Sequence, residues 1–158
     1  MPPPRRTTDP VAPRLSLTVQ RGPRVSALPV PRAQLRRWVA AALERDCTLT
    51  LRFVGTAEAR ALNQAFRGRD YATNVLTFDY GAHEPVQADI VVCLPVVRRE
   101  ARAQGKAFTD HLAHLVVHGA LHAQDWDHER GPDEAARMEA RERAVLARFG
   151  IGDPYAEK

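Results

Sequence analysis

A chain of 158 residues, 44% of them hydrophobic, is one domain's worth of material, enough to bury roughly two-thirds of its extended surface around a single core. No run approaches the ~18 consecutive apolar residues of a membrane span, so no membrane partner is expected. The formal net charge of +4 has the sign of a nucleic-acid binder, but it is unevenly placed: residues 1–45 carry nine arginines against Asp9 and Glu44, and the remainder is net negative. A basic extension of this kind favours an anionic partner while also occurring in proteins without one.

In chain order, residues 1–14 read as a Pro/Arg-rich disordered lead-in, because prolines at 2, 3, 4, 10 and 13 oppose a helix and no apolar stretch follows the twin arginine as a signal peptide would require. Residues 15–158 then form the single domain. Leu15 to Val19 alternates like a half-buried strand. Pro31 opens a helix to about Glu44, with Leu35, Trp38, Val39, Ala42 and Leu43 on one face. Cys47 to Val54 is the second strand. Thr56 with Glu58 signals the start of the next helix, which Gly68 ends. Asn74 to Phe78 and Ala88 to Cys93 read as an antiparallel strand pair. Pro95 to Gln104 is a helix, a histidine-bearing helix runs from Thr109 or Asp110 to Ala123, and Gly131-Pro132-Asp133 introduces a last one. In that helix Ala135, Met138, Ala144, Val145 and Leu146 supply the buried side. The order predicts an α/β (α+β) fold in which a small mixed four-stranded sheet is covered by about five to six helices. Cys47 and Cys93 lie in apolar runs with no close-spaced partner, as expected of buried thiols in a reducing cytoplasm.

The stretch from Asp110 to His128 holds five of the six histidines. His118 and His122 stand one helical turn apart on one face, and His128 follows after the helix pattern ends, giving H-x3-H-x5-H. Three nitrogens leave a fourth tetrahedral position open, which is the mark of a catalytic zinc site. His114 shares the face but lies about a turn too far back, given ~1.5 Å rise per residue, so it reads as pocket wall or a support to the ligands. His111 reads as surface near the start of the helix. Zincin proteases with three histidines place their general-base glutamate directly after the first histidine. Here that residue is Gly119, so peptide hydrolysis by that route lacks its proton acceptor, and the glycine leaves room beside the metal for a bulky substrate.

His118-Gly119-Ala120-Leu121-His122 with Asp127-His128 resembles the H-G-x-L-H-x-x-G-Y-D-H signature of the YbeY family of rRNA maturation factors. Phe66 to Asp70, Thr73 to Phe78, and Gly150 to Tyr155 are similar to its other blocks. The likeness runs from about Leu15 to the C-terminus. It implies an α/β fold, one Zn2+ ion held by His118, His122 and His128, hydrolytic cleavage of single-stranded RNA, a role in maturation of the 16S rRNA 3′ end and in ribosome quality control, and contact with the small ribosomal subunit and its proteins in the cytoplasm. Arg67 matches the family's functional arginine and is the catalytic candidate for stabilising charge on a phosphorane. Asp127 is placed to orient a ligand or cap the turn. Asp125-Trp126 stands where the family has Gly-Tyr, and the Asp125 carboxylate adds charge near the metal, able either to tune bound water or to hinder RNA. Arg69, Arg98, Arg99 and Arg102 are weaker RNA-contact candidates, with solvated surface as the plainer reading of each. Two competing functions remain open on sequence grounds: a metal-dependent hydrolase of another substrate class, and a ribosome-assembly factor whose metal is mainly structural. Imidazole ligands also suit nickel, copper or iron.

Overall fold

The computed structural model describes residues 12–81, 84–124 and 131–156. Residues 1–11 of the predicted lead-in, and the segment with Asp125, Trp126, Asp127 and His128, lie outside them. The elements are β1 (Leu15–Arg21), α1 (Arg32–Ala41), β2 (Cys47–Val54), α2 (Thr56–Arg67), β3 (Val75–Asp79), β4 (Val86–Cys93), α3 (Leu94–Gln104), α4 (Phe108–Ala123) and α5 (Pro132–Ala147). Their order and type are those read from the periodicity. Among the described residues, no helix is long and apolar enough to cross a membrane.

The strands form one mixed sheet in the order β1-β2-β4-β3, with β1, β2 and β4 parallel and β3 antiparallel to β4 at the edge. Strand alternation assigns the faces. In β2, Cys47, Leu49, Leu51 and Phe53 point into the main core, while Thr48, Thr50 and Arg52 point to the more open side. The main core lies between that sheet face and helices α1, α4 and α5. A smaller cluster on the other face joins Val54, Leu76, Val91 and Cys93 to Ala59 of α2 and Val96 of α3.

Helix α4 is the hub, because it touches β3, β4, α1, α3 and α5. Leu112, Val116, Val117 and Leu121 are completely buried, each side chain contributing about 1.5–3 kcal/mol relative to exposure. The Gly119 expectation is corrected by this packing. A Cβ there would stand 2.7 Å from Cγ2 of Ile90 on β4, so the missing side chain serves the close approach of helix to sheet and makes no room at a metal. Gln124, 3% exposed, secures the far end of α4. Its Oε1 accepts from the backbone N–H groups of Glu44 and Arg45 at 2.6 and 3.1 Å, and its Nε2 donates to the carbonyls of Ala42 and Ala120. One amide thus ties the end of α1 to the residue that leads into 125–130.

Two further readings are revised. The residue capping α2 is Gly55, with Thr56 already helical. In α5, Ala144 is exposed and Glu142 is buried. Met138, Glu142 and Val145 sit at spacings of four and three, so the glutamate is in phase with the apolar stripe.

Three outcomes follow. Gly119→Ala should lower stability by about 1 kcal/mol in urea titration, because overpacking of about 1–3 kcal/mol exceeds a helix-propensity gain near 1 kcal/mol. A stabilised variant would show that Ile90 yields. Gln124→Ala, which removes the shared acceptor of the Glu44 and Arg45 N–H groups, should lose about 1–2 kcal/mol. Cys47 has its thiol pushed up to about 11 by burial, with Asp46 adding to it, and burial raises Cys93 as well. Both should therefore resist alkylation at pH 8 in the native protein and react fully in urea, as read by mass spectrometry.

Candidate metal centre and cleft

The spacing of three, four and four residues along α4 stacks His111, His114, His118 and His122 up one edge, with successive ring centroids 6.2 Å apart. That edge faces β3, which presents Val75 and Thr77 on the α4 side, in register with Val92 and Ile90. Between them lies a cleft of about 310 Å³ whose walls include Arg67, Asn74, Thr77, His114, His118 and His122, with Tyr155 of the C-terminal segment closing one side. The structure therefore brings Arg67, from the α2 end, to the same cavity as the two helical histidines.

Arg67 reaches this position through a local chain of causes. Gly68 adopts φ +67°, the left-handed conformation that stops α2 directly after Arg67. The following loop is held by Asn63, 1% exposed, whose Nδ2 donates to the carbonyl of Tyr71 at 2.9 Å. Arg60 grips Asp70 with two hydrogen bonds of 2.6 and 3.0 Å. At the loop's end, Asn74 accepts from its neighbour's N–H at Val75 and donates to Glu100 at 3.0 Å.

His111 departs from expectation. It is buried at 5% exposure, with Nε2 3.0 Å from Glu100 Oε1, and so joins Asn74 in one network. An N-terminal position on a helix reads as surface only when nothing packs over it, and here α3 does.

The centre of the site is Glu142, which has no exposed surface. Its Oε1 lies 2.5 Å from His118 Nδ1. Its Oε2 lies 3.2 Å from His114 Nε2 and accepts from the Tyr155 hydroxyl. Burial alone would raise this carboxyl, but hydrogen bonds from His114 and His118, the attraction of His118 and the Tyr155 hydroxyl together outweigh it, so the group is held down to about 2. Burial and the Glu142 carboxylate conversely raise the Tyr155 phenol. The tail carrying Tyr155 is anchored by Lys106, whose Nζ donates to the Pro154 carbonyl at 3.0 Å.

Candidate ligand atoms of His114, His118 and Glu142 lie within 4.8 Å of one another, close enough to consider one shared ion. The distances argue against it. Two ligands of a tetrahedral zinc at ~2.0–2.1 Å stand about 3.3 Å apart, whereas Glu142 and His118 are 2.5 Å apart, a hydrogen-bond separation. A carboxylate behind an imidazole is instead the usual support of a metal-binding histidine. The donor set on α4 therefore fits a metal facing the cleft at His118 and His122. His114 lines the cleft and takes part in the Glu142 network. The expected third ligand His128 and its neighbours Asp127 and Asp125 fall outside the described residues.

The weaker arginine candidates are elsewhere. Arg69 donates to the Tyr71 hydroxyl at 3.3 Å, Arg98 lies over the Phe108 ring at 5.2 Å, and Arg99 and Arg102 are exposed on α3. None of the four is among the residues lining the cleft. Sequence reasoning missed Glu142, Tyr155 and Asn74. Glu142 had a legible signal, an acid in phase with Met138 and Val145. Tyr155 had none by spacing, because only the fold returns the C-terminus to α4.

Comparison with known proteins shows the family. Residues 26–150 match the family model described as endoribonuclease YbeY. Curated relatives bearing the name Endoribonuclease YbeY include one from Thiobacillus denitrificans, 54% identical over 147 residues and covering 92% of this chain and 99% of its own. Another is from Paracidovorax citrulli, 51% identical with coverages of 90% and 95%. A third, from Bordetella pertussis, is 54% identical with coverages of 92% and 98%. The fold is similar to the solution structure of a Thermotoga maritima protein, with TM-score 0.56, 24% identity, and coverage of 89% of this chain and 99% of that one. A chain matched over most of its length by both the family model and relatives at half identity belongs to the endoribonuclease YbeY family.

Proposed function

We propose that this protein is a zinc-dependent endoribonuclease that cuts single-stranded RNA, acting in the cytoplasm on the small ribosomal subunit in maturation of the 16S rRNA 3′ end and in ribosome quality control. The observation that carries the reading is the convergence of Arg67 with His118 and His122 on one cleft, together with relatives named as endoribonucleases. His118, His122 and His128 would hold the ion. When bound, zinc supplies a Lewis acid toward a phosphate oxygen and a means of acidifying water near neutrality.

The chain's own residues supply the rest. Arg67, in the wall of the cleft, offers a planar donor fork suited to phosphate oxygens, and its role is to bind the scissile phosphate and offset the extra charge of the transition state. Asn74 and Thr77 add neutral hydrogen-bonding groups along the β3 wall. With Gly119 turned to the sheet, α4 carries no carboxylate at the position where proteases hold their general base. The helix therefore positions metal and substrate without providing that proton acceptor.

Purified protein loaded with one equivalent of zinc should cleave single-stranded rRNA substrates and leave duplexes intact. His118→Ala should abolish cleavage, and Arg67→Ala should reduce it about 10²–10³-fold with zinc content unchanged. Intact single-stranded RNA after incubation with zinc-loaded protein would sink the nuclease reading. Normal 16S 3′ ends in cells carrying Arg67→Ala would shift the role toward assembly with a structural metal.

A further inference from the structure

We propose that Glu142 is a positioning residue: its buried carboxylate, clamped by His114 and Tyr155, holds His118 in the tautomer that turns Nε2 toward the metal. The inference rests on the metal reading above and concerns α5 and the C-terminal tail, which contribute no ligand to it.

The argument starts from what a carboxylate can do. An ionised carboxylate only accepts hydrogen bonds, so every polar group facing it must donate. Among the described residues, three side chains face Glu142: His118 through Nδ1, His114 through Nε2, and Tyr155 through its hydroxyl. His118 must therefore carry its hydrogen on Nδ1, which leaves the lone pair on Nε2. His114 is read through the opposite atom. Its hydrogen is on Nε2, 3.2 Å from both Glu142 Oε2 and the Tyr155 hydroxyl, and its lone pair is on Nδ1, a buried atom with no hydrogen-bond partner among the described residues. One carboxylate thus assigns two histidines of the same helix edge to different tasks, His118 to the metal and His114 to the scaffold. Four residues of separation on α4 bring a different ring nitrogen to the same two oxygens.

The surroundings are built for orientation. Glu142 has no exposed surface, and it stands on α5 between Met138 and Val145, which are themselves buried in the main core. A lone buried carboxylate would be strongly disfavoured, so its retention demands the donors it has. Tyr155 completes them from outside: its ring lies edge-on to His114 with centroids 5.3 Å apart, and its hydroxyl takes a position on Oε2 that water would otherwise compete for.

The decisive variant is Glu142→Gln, equal in size and different in one respect. Its amide satisfies the two donors from His114 and Tyr155 only by turning its oxygen toward them, and that orientation presents NH2 to His118 Nδ1. The ring must then accept at Nδ1 and carry its hydrogen on Nε2, the wrong tautomer for a ligand. Zinc alone is the probe, titrated against a chromophoric chelator, with long-range proton–nitrogen NMR of the metal-free protein reporting the tautomer of His118.

Glu142→Gln is expected to bind zinc 10–100-fold more weakly than the wild type and to move the His118 hydrogen to Nε2, with native circular dichroism. Wild-type zinc affinity together with an unchanged tautomer overturns the proposal. Should Glu142→Gln fail to fold, Tyr155→Phe decides: several-fold weaker zinc binding in a folded protein supports the clamp, and unaltered binding overturns it. Wild-type protein that binds no zinc, or a His118→Ala variant that binds it normally, refutes the metal reading itself and with it the role of Glu142 toward an ion.

Discussion

The structure depends on a conflict in α4, which must be both the most buried helix and the carrier of the polar site. Packing against β3, β4, α1, α3 and α5 consumes nearly all of its circumference. What remains is one edge, carrying His114, His118 and His122, which lines the cleft beside the antiparallel edge strand β3. A site on such a helix is rigid because moving it would open the core, and rigidity is what a metal centre needs from its scaffold. Gly119 shows how tight the arrangement is, since even a methyl group would collide with Ile90.

Polar groups enter this apolar surround in hydrogen-bonded networks. His111, Glu100 and Asn74 join α4 and α3 to the start of β3. His114, His118, Glu142 and Tyr155 join α4 to α5 and the C-terminal segment. Gln124 joins the end of α4 to the end of α1. In each case a buried donor or acceptor is satisfied by an element distant in sequence, so the same bonds that remove desolvation penalties also set the relative positions of the helices. Two of the three networks reach residues lining the cleft, so the stability of the fold and the geometry of the site share the same hydrogen bonds.

Electrostatics follow the same division. The excess positive charge of the chain lies in residues 1–45, while among the described residues the cleft draws on one arginine, Arg67, placed by the end of a helix rather than by a basic patch. A single guanidinium at the end of a helix suits recognition of one phosphate at a defined point. A diffuse basic surface suits attraction of a polyanion from a distance.

Much of this was legible without coordinates. Strand alternation and helical periodicity determine the element order, because each is a local property of side-chain direction, and the H-x3-H pair determines that two imidazoles share a helix face. Gly68 determines where α2 stops and hence where Arg67 stands along the chain. Tertiary structure alone decided the rest. His111 reads as surface from its place near the start of a helix, and the phase of Glu142 with Met138 and Val145 marks it as buried without naming its partners, since what packs over a residue is not encoded by any local pattern. Gly119 suggested space for a substrate until β4 was found against it. Tyr155 lies 41 residues beyond His114, and only the folded chain brings its hydroxyl to the carboxylate behind His118. Spacing along a helix names candidate ligands, whereas the atom each imidazole offers is set by a hydrogen-bond partner that the fold supplies.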